Sequence, residues 1–187
     1  MARQTDRLDM TVRFQPVNIA VMTVSDTRTA ADDSSGDLLV SRIAEDGHIL
    51  ADRAIITDDV PEITARLRLW VEDPQIDVVI TTGGTGLTGR DSTPEAFDAI
   101  VEKEIGGFGE LFRMLSYQKI GTSTVQSRAL AGVAGGTYLF ALPGSTSACK
   151  DGWDDILRYQ LDIRHKPCNF VEIMPRLSES STSRRGG

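Results

Sequence analysis

The sequence predicts a three-layer α/β/α sandwich around a mostly parallel sheet, Rossmann-like in its winding. Three observations carry that prediction. Short apolar runs rich in β-branched residues alternate with segments of helical period, as in successive βαβ units. The run at 76–80 is apolar almost throughout, as expected of a central parallel strand covered on both faces. Turns rich in glycine and hydroxyls follow the runs. The chain has 187 residues and is 40% hydrophobic, so one domain with a sizeable core is expected.

The elements follow in order. Residues 1–15 are polar and read as a loose arm before a domain spanning 16–177. Residues 18–24 form the first strand. Residues 37–46 have helical spacing through Leu38, Leu39 and Ile43, and Gly47 fits the position just past a helix end. Residues 49–56 read as the second strand. A Thr57-Asp-Asp-Val-Pro61 turn leads into a helix over 61–72, with Ile63, Leu67 and Trp70 on one face. Strand 76–80 runs into a glycine-rich loop, and a helix over 94–104 follows. Gly106 and Gly107 are expected to break it before a short helix over 108–115. Residues 138–142 form a strand and 147–161 a helix. The Ser/Arg/Gly tail at 178–187 has no apolar anchor and reads as disordered.

Composition excludes several classes. A formal net charge of −7 argues against a general nucleic-acid binder. No apolar run approaches about 18 residues, so no transmembrane helix is expected. Residues 1–9 lack the apolar stretch of a secretory leader, so a cytoplasmic protein is expected. Cys149 and Cys168 lack metal-site spacing and read as inert core thiols. His48 and His165 are isolated. His165 follows a helix, where a cation complements the dipole. No Ser or Cys nucleophile joins a His and an acid in any recognisable pattern.

The glycine loop is the most informative segment. Gly83, Gly84, Gly86 and Gly89 permit positive φ and close approach of backbone to a ligand. Ser92 or Thr93 can cap the next helix, with Pro94 near its first position and Glu95 in its first turn. The Gly84-x-Gly86-x-x-Gly89 spacing matches the dinucleotide pattern only weakly, because the helix starts late and no acid-ended strand follows. A Walker A loop is excluded, since no Gly-Lys-Ser/Thr is present. A tight turn without a ligand is the plainer alternative.

In such a sheet, ligands bind beyond the carboxyl ends of the strands. Segments 25–36, 81–95 and 143–146 all follow predicted strands. They bring glycine amides, the hydroxyls of Ser25, Thr82, Thr85 and Ser145, and the carboxylates of Asp26 and Asp91. Asp58 and Asp59 follow the second strand. Amides and hydroxyls suit phosphate, whereas carboxylates repel it unless a divalent metal intervenes. The combination points to Mg²⁺-assisted chemistry on a nucleotide or phosphorylated ligand. A solvated cap or turn residue is the alternative for each acid.

Thr81-Thr-Gly-Gly-Thr-Gly86 with Arg90-Asp-Ser-Thr-Pro-Glu-Ala96 resembles the signature of the molybdopterin-binding domain family, which includes molybdopterin adenylyltransferases. Thr23-Val-Ser-Asp26, Asp33-Ser-Ser-Gly36 and Leu142-Pro-Gly-Ser145 fit as well. The segments from Gly107 to Ser116, 120–123, 126–129 and 164–170 are similar to the family's cofactor biosynthesis protein B branch. The likeness covers roughly 16–170. It implies a homo-oligomer, trimer or hexamer, and a reaction of molybdopterin with ATP and Mg²⁺ that gives adenylyl-molybdopterin and pyrophosphate. Read as an enzyme of this kind, the chain would use Asp59, after the second strand, and Asp91 in catalysis, with Asp26 and Asp91 as metal ligands. The likeness implies substrate binding by Ser25, Asp26, Ser35, Gly36, Thr82, Gly83, Gly84, Thr85, Gly86, Pro94, Glu95, Pro143, Gly144 and Ser145. A module that binds molybdopterin, or docks to other proteins of the pathway without turnover, is the second reading.

Overall fold

The computed structural model describes residues 7–179. Its centre is a six-stranded sheet in the order β2-β1-β3-β6-β5-β4. The strands are β1 (Asn18–Val24), β2 (Ile49–Ile56), β3 (Val78–Thr82), β4 (Lys103–Glu104), β5 (Leu130–Ala134) and β6 (Thr137–Leu142). β2, β1, β3 and β6 run parallel, while β5 is antiparallel to both β6 and β4. The expected α/β fold with a mostly parallel sheet is therefore present.

The alternation of side chains along each strand divides the core into two layers. Ile19, Val21, Val78, Ile80, Tyr138 and Phe140 face one side. They meet α1 (Ser34–Glu45), α4 (Gly106–Ile120) and the helix that begins with α5 (Thr146–Gly152) through Leu39, Ile43, Phe112 and Trp153. Ala20, Met22, Val79, Leu139 and Ala141 face the other side. There they meet α2 (Val60–Val71) and α3 (Thr93–Asp98) through Ile63, Leu67, Trp70 and Phe97.

Local chemistry sets the helix starts. The Asp33 carboxylate accepts from the Gly36 amide at the head of α1. Asp59 does the same for Glu62 in α2, and Ser145 for Ala148 in α5. Gly47, at φ +83°, follows the end of α1.

Several boundaries differ from expectation. The helix expected over 94–104 stops at Asp98. From there Glu102 and Ile105 donate backbone bonds to Val133 and Ala131, and the chain becomes β4. Gly132 makes this possible, since any Cβ there would overlap Val101. Gly106 and Gly107 begin a helix rather than break one, and α4 runs on to Ile120. β5 has no counterpart in the sequence prediction. Strand 76–80 is displaced to 78–82, because Thr81 and Thr82 are buried despite their hydroxyls. Within the helix expected over 147–161, residues Trp153–Leu157 widen into a π-turn before a last α-turn, Arg158–Gln160.

The described part of the polar N-terminal stretch is tied down. Lys166 donates to the Arg7 carbonyl and Asp9 donates to that of Arg164. Most of the tail, 180–187, lies outside the described residues. Cys149 is buried, which pushes its thiol up to about 11, whereas Cys168 is exposed and is not a core thiol. Among the described residues, no helix is long and apolar enough to cross a membrane.

Phe140 is fully buried on a central strand, with rings of Phe108, Tyr138 and Phe170 at 5.1, 6.3 and 5.6 Å. Phe140→Ala should cost about 3–5 kcal/mol, because cavity formation adds to the lost transfer energy. Urea unfolding monitored by circular dichroism will measure it. A loss below about 1 kcal/mol would mean that this core collapses around the gap.

Candidate functional site

β1 passes to β2 through α1 on one face, and β2 returns across β1 to β3 through α2 on the other. The winding therefore reverses between β1 and β3, and their carboxyl ends, Val24 and Thr82, open the crevice where such sheets bind ligands. β6 lies beside β3, so the loop after Leu142 completes the same edge.

The glycine loop lies directly on this edge. Gly83 has φ +99° and Gly84 φ +64°. A Cβ on Gly83 would overlap the Val24 carbonyl, and one on Gly84 would overlap the Thr93 hydroxyl. Glycine is thus required twice, by backbone conformation and by contact. Thr93 closes the loop: its hydroxyl donates to the Gly83 carbonyl at 2.9 Å and its amide to Gly84, also at 2.9 Å. Arg128 holds the far side. Its Nε donates to the Gly86 carbonyl at 2.8 Å and its Nη2 to that of Asp91 at 2.9 Å, and it pairs with Glu95.

A cavity of ≈ 410 Å³ opens beside the loop. One wall is Gly83, Gly84, Thr85, Gly86 and Asp91, and a second is Pro143, Gly144, Ser145 and Ala148. The third comes from α4 and the 3₁₀ turn after it: Phe112, Ser116, Ile120, Ser123, Thr124, Gln126 and Ser127. The residue reading missed that third wall as a site. Its signal is the run of hydroxyls and one amide over 122–127, which a loop-by-loop search of strand ends does not reach.

The acids fall into distinct environments. Asp91 lies on the cavity. Burial pushes its carboxyl up, but the Thr88 hydroxyl at 2.6 Å and amide at 2.7 Å outweigh that and hold it below its ordinary value. Asp26 lies off the cavity. Both its oxygens accept from Arg90, at 2.9 and 2.7 Å, and this pairing, with the Asp58 amide, lowers its pKa. Asp58 is buried and takes the amide and hydroxyl of Ser92 at 2.9 and 2.6 Å. Asp59 caps α2, also off the cavity.

Among the remaining predicted residues, Ser25 accepts from the Thr27 and Arg28 amides within its own turn. Ser35 accepts from Arg28. Gly36 has no room for a Cβ against Asp33 and Thr23. Thr82 donates beneath the cavity to the Pro143 carbonyl at 3.1 Å. Pro94 stands in the first turn of α3, and Glu95 is held by Arg128. The fold therefore brings eight of the predicted residues onto the cavity (Gly83, Gly84, Thr85, Gly86, Asp91, Pro143, Gly144 and Ser145) and places the others behind or beside it. His165 is buried, and that burial lowers its pKa.

Magnesium is held by one or two carboxylates together with substrate phosphates and water. Among the described residues no three His, Cys, Asp or Glu side chains converge on a cation position. Asp91 offers one carboxylate at the cavity, and Asp26 would have to leave Arg90. These side chains suit a metal that arrives with a polyphosphate rather than one caged by protein alone.

The doubly wound sheet, with a glycine-lined cavity at its reversal, defines a ligand-binding α/β domain. A family model described as a probable molybdopterin binding domain matches residues 20–163, and the chain belongs to that family. It is 48% identical over 161 residues to molybdenum cofactor biosynthesis protein B of Escherichia coli (strain K12), covering 86% of this chain and 95% of that one. A crystal structure of molybdenum cofactor biosynthesis protein B superimposes with a TM-score of 0.79 at 38% identity, covering 87% of this chain and 96% of the other. The tungsten cofactor synthesizing protein MoaB from Pyrococcus furiosus gives 0.72 at 33%, covering 88% and 99%.

Gly83→Ala should distort the loop, since the new methyl meets the Val24 carbonyl at a φ that L residues avoid. A loss of about 2 kcal/mol or more is expected from calorimetry. Asp33 tests the supporting network. Burial raises its pKa, but Arg53, Thr23 and the Gly36 amide outweigh burial and leave it depressed. A carboxyl depressed in the folded state stabilises the protein above its unfolded pKa of about 3.9, and that stability is lost as pH falls through the folded value. Asp33→Asn should therefore lose about 3 kcal/mol at pH 7 and show a shallower decline below pH of about 4. A parallel decline in the two proteins would assign the acid sensitivity elsewhere.

Proposed function

We propose that this protein acts in molybdenum cofactor biosynthesis, in the cytoplasm, binding molybdopterin in the cavity and adenylylating it with ATP and Mg²⁺. The observation that carries this reading is the cavity itself. Glycine backbone from two strand ends and the carboxylate of Asp91 face one open cavity. The loop amides and the hydroxyls of Thr85 and Ser145 hold phosphate oxygens. A terminal phosphate oxygen of molybdopterin attacks the α-phosphorus of ATP. The new P–O bond forms as the α–β bridge breaks, and pyrophosphate leaves with the electron pair. Magnesium, when bound, neutralises charge on the phosphates. Asp91 holds the metal–nucleotide in line, so the protein works by positioning and by charge compensation. Asp59, as a helix cap off the cavity, takes no direct part in this scheme.

One observation favours binding without turnover: Arg90 occupies both oxygens of Asp26, the other acid expected at the metal. A single assay separates the two readings. Purified protein with molybdopterin, ATP and Mg²⁺ should yield adenylyl-molybdopterin and pyrophosphate. Asp91→Asn should bind molybdopterin, melt within a few degrees of the parent and turn over at least about 10²-fold more slowly. Tight binding with no product from the parent protein would select the binding module.

The homo-oligomer, trimer or hexamer, also belongs to this reading. Phe108 and Phe112 are core residues, but Met114, Tyr117, Ile120 and Val125 are 56%, 58%, 56% and 80% exposed along α4 and its following turn. Apolar groups that gather on one surface mark an interface. Light scattering should give a multiple of the chain mass, and Tyr117→Glu should lower it. A monomer at micromolar concentration sinks this part.

A further inference from the structure

Arg28 stands in the loop between β1 and α1 and does not line the cavity, yet its guanidinium reaches the cavity wall from behind. Nη2 donates to the Gly144 carbonyl at 3.0 Å. Nη1 donates to the Ser35 hydroxyl and lies 3.5 Å from Asp33 Oδ1. Asp33 is itself fixed, since it takes the Thr23 hydroxyl at 2.7 Å, Arg53 at 2.8 Å and the Gly36 amide at 3.1 Å. The base from which Arg28 reaches is therefore the rigid start of α1.

The geometry of a peptide gives this contact a consequence at the cavity. A trans peptide is planar, and its C=O and the following N–H point in opposite directions. A donor that captures the Gly144 carbonyl from behind thus turns the Ser145 N–H forward. Gly144 and Ser145 both line the cavity, and the Ser145 N–H has no bond to any described residue. A charged donor on a carbonyl also polarises the peptide and strengthens the N–H on its other side. Arg128 does the same work on the opposite wall, at the carbonyls of Gly86 and Asp91.

We propose that Arg28 is a positioning residue for the cavity's anion site: it aims and strengthens the Ser145 amide as a donor to a phosphate or pyrophosphate oxygen without touching the ligand. This inference rests on reading the cavity as a polyphosphate site. Lysine at 28 would keep the charge but could not span Ser35 and Gly144 together, and methionine would lose both contacts.

The test uses ¹⁵N–¹H spectra of the full chain and of Arg28→Lys and Arg28→Met, without ligand and titrated with magnesium pyrophosphate. Without ligand, the Ser145 amide proton should move upfield in both variants, at temperatures where circular dichroism shows each still folded. With ligand, the Ser145 resonance of the parent should shift to saturation. The pyrophosphate Kd should rise about 10-fold or more in Arg28→Lys and further in Arg28→Met, as expected for loss of a charge-assisted bond. Should Arg28→Met fail to fold, Arg28→Lys decides alone. Variants that bind within twofold of the parent, or an unmoved ligand-free Ser145 resonance, overturn the inference. A parent that binds no pyrophosphate overturns the polyphosphate reading and the anion role with it. The ligand-free resonance still distinguishes that failure from a wrong assignment of Arg28, because only in the latter does Ser145 stay unmoved.

Discussion

Asp33 has no exposed surface, and a buried carboxylate is tolerated only when its charge and lone pairs are met. Four segments meet them. Thr23 comes from β1, Arg53 from β2, the Gly36 amide from the head of α1, and Arg28 from the loop between. Each contact fixes a different part of the fold. Arg53 locks the edge strand to α1, where it also pairs with Asp37 at 2.7 Å. Thr23 sets the end of β1 one residue before the crevice opens. Gly36 must be glycine because α1 passes so close to the carboxylate. Arg28 then carries the network to the β6 loop. The walls of the cavity are set by how one buried charge is satisfied at the end of the sheet.

The glycine loop shows the complementary constraint, contact without charge. Gly83 packs on the Val24 carbonyl and beneath Gly144, so the ends of β1, β3 and β6 meet with only backbone between them. A side chain at either position would separate the strands that form the crevice. Thr93, Arg128 and the Asp58–Ser92 pair hold the loop's conformation from outside. Acids close to the cavity are also held by partners. Asp26 is neutralised by Arg90, Glu95 by Arg128, and Asp58 is turned inward to Ser92. Among the acids of the described residues, only Asp91 lines the cavity itself.

The parts that could be read from sequence were those with strong local signals. β1 and β2 have the expected bounds, 18–24 and 49–56, because apolar stretches in each are bounded by turn residues, although Asp52 and Arg53 interrupt β2. The glycine loop was legible because four glycines in seven residues have few uses besides close approach. β5 was not legible. Leu-Ala-Gly-Val-Ala has weak strand propensity, and its place depends on Val101 packing over Gly132, a contact between distant segments. The same contact ended α3 early, since residues after Asp98 gain more by pairing with β5 than by continuing a helix. The α4 wall was hidden for a related reason. Nothing local to Ser116 or Gln126 says that the chain folds back across the strand ends.

The acids were the hardest residues to place, and the reason is general. A carboxylate after a strand looks the same in sequence whether it binds a metal, caps a helix or pairs with an arginine. Asp26, Asp33, Asp58, Asp59 and Asp91 all stand at strand or loop ends. The structure separates them by partner alone: arginine, a buried network, a serine, a helix amide and a threonine beside the cavity. Arginines were equally ambiguous, since Arg28, Arg90 and Arg128 reach backbone or carboxylate groups 116, 64 and 42 residues away only because the sheet brings its carboxyl ends together. In this fold glycine and hydroxyl groups make up most of the polar lining of the cavity. The arginines bond one layer out, to the backbone and carboxylates around that lining.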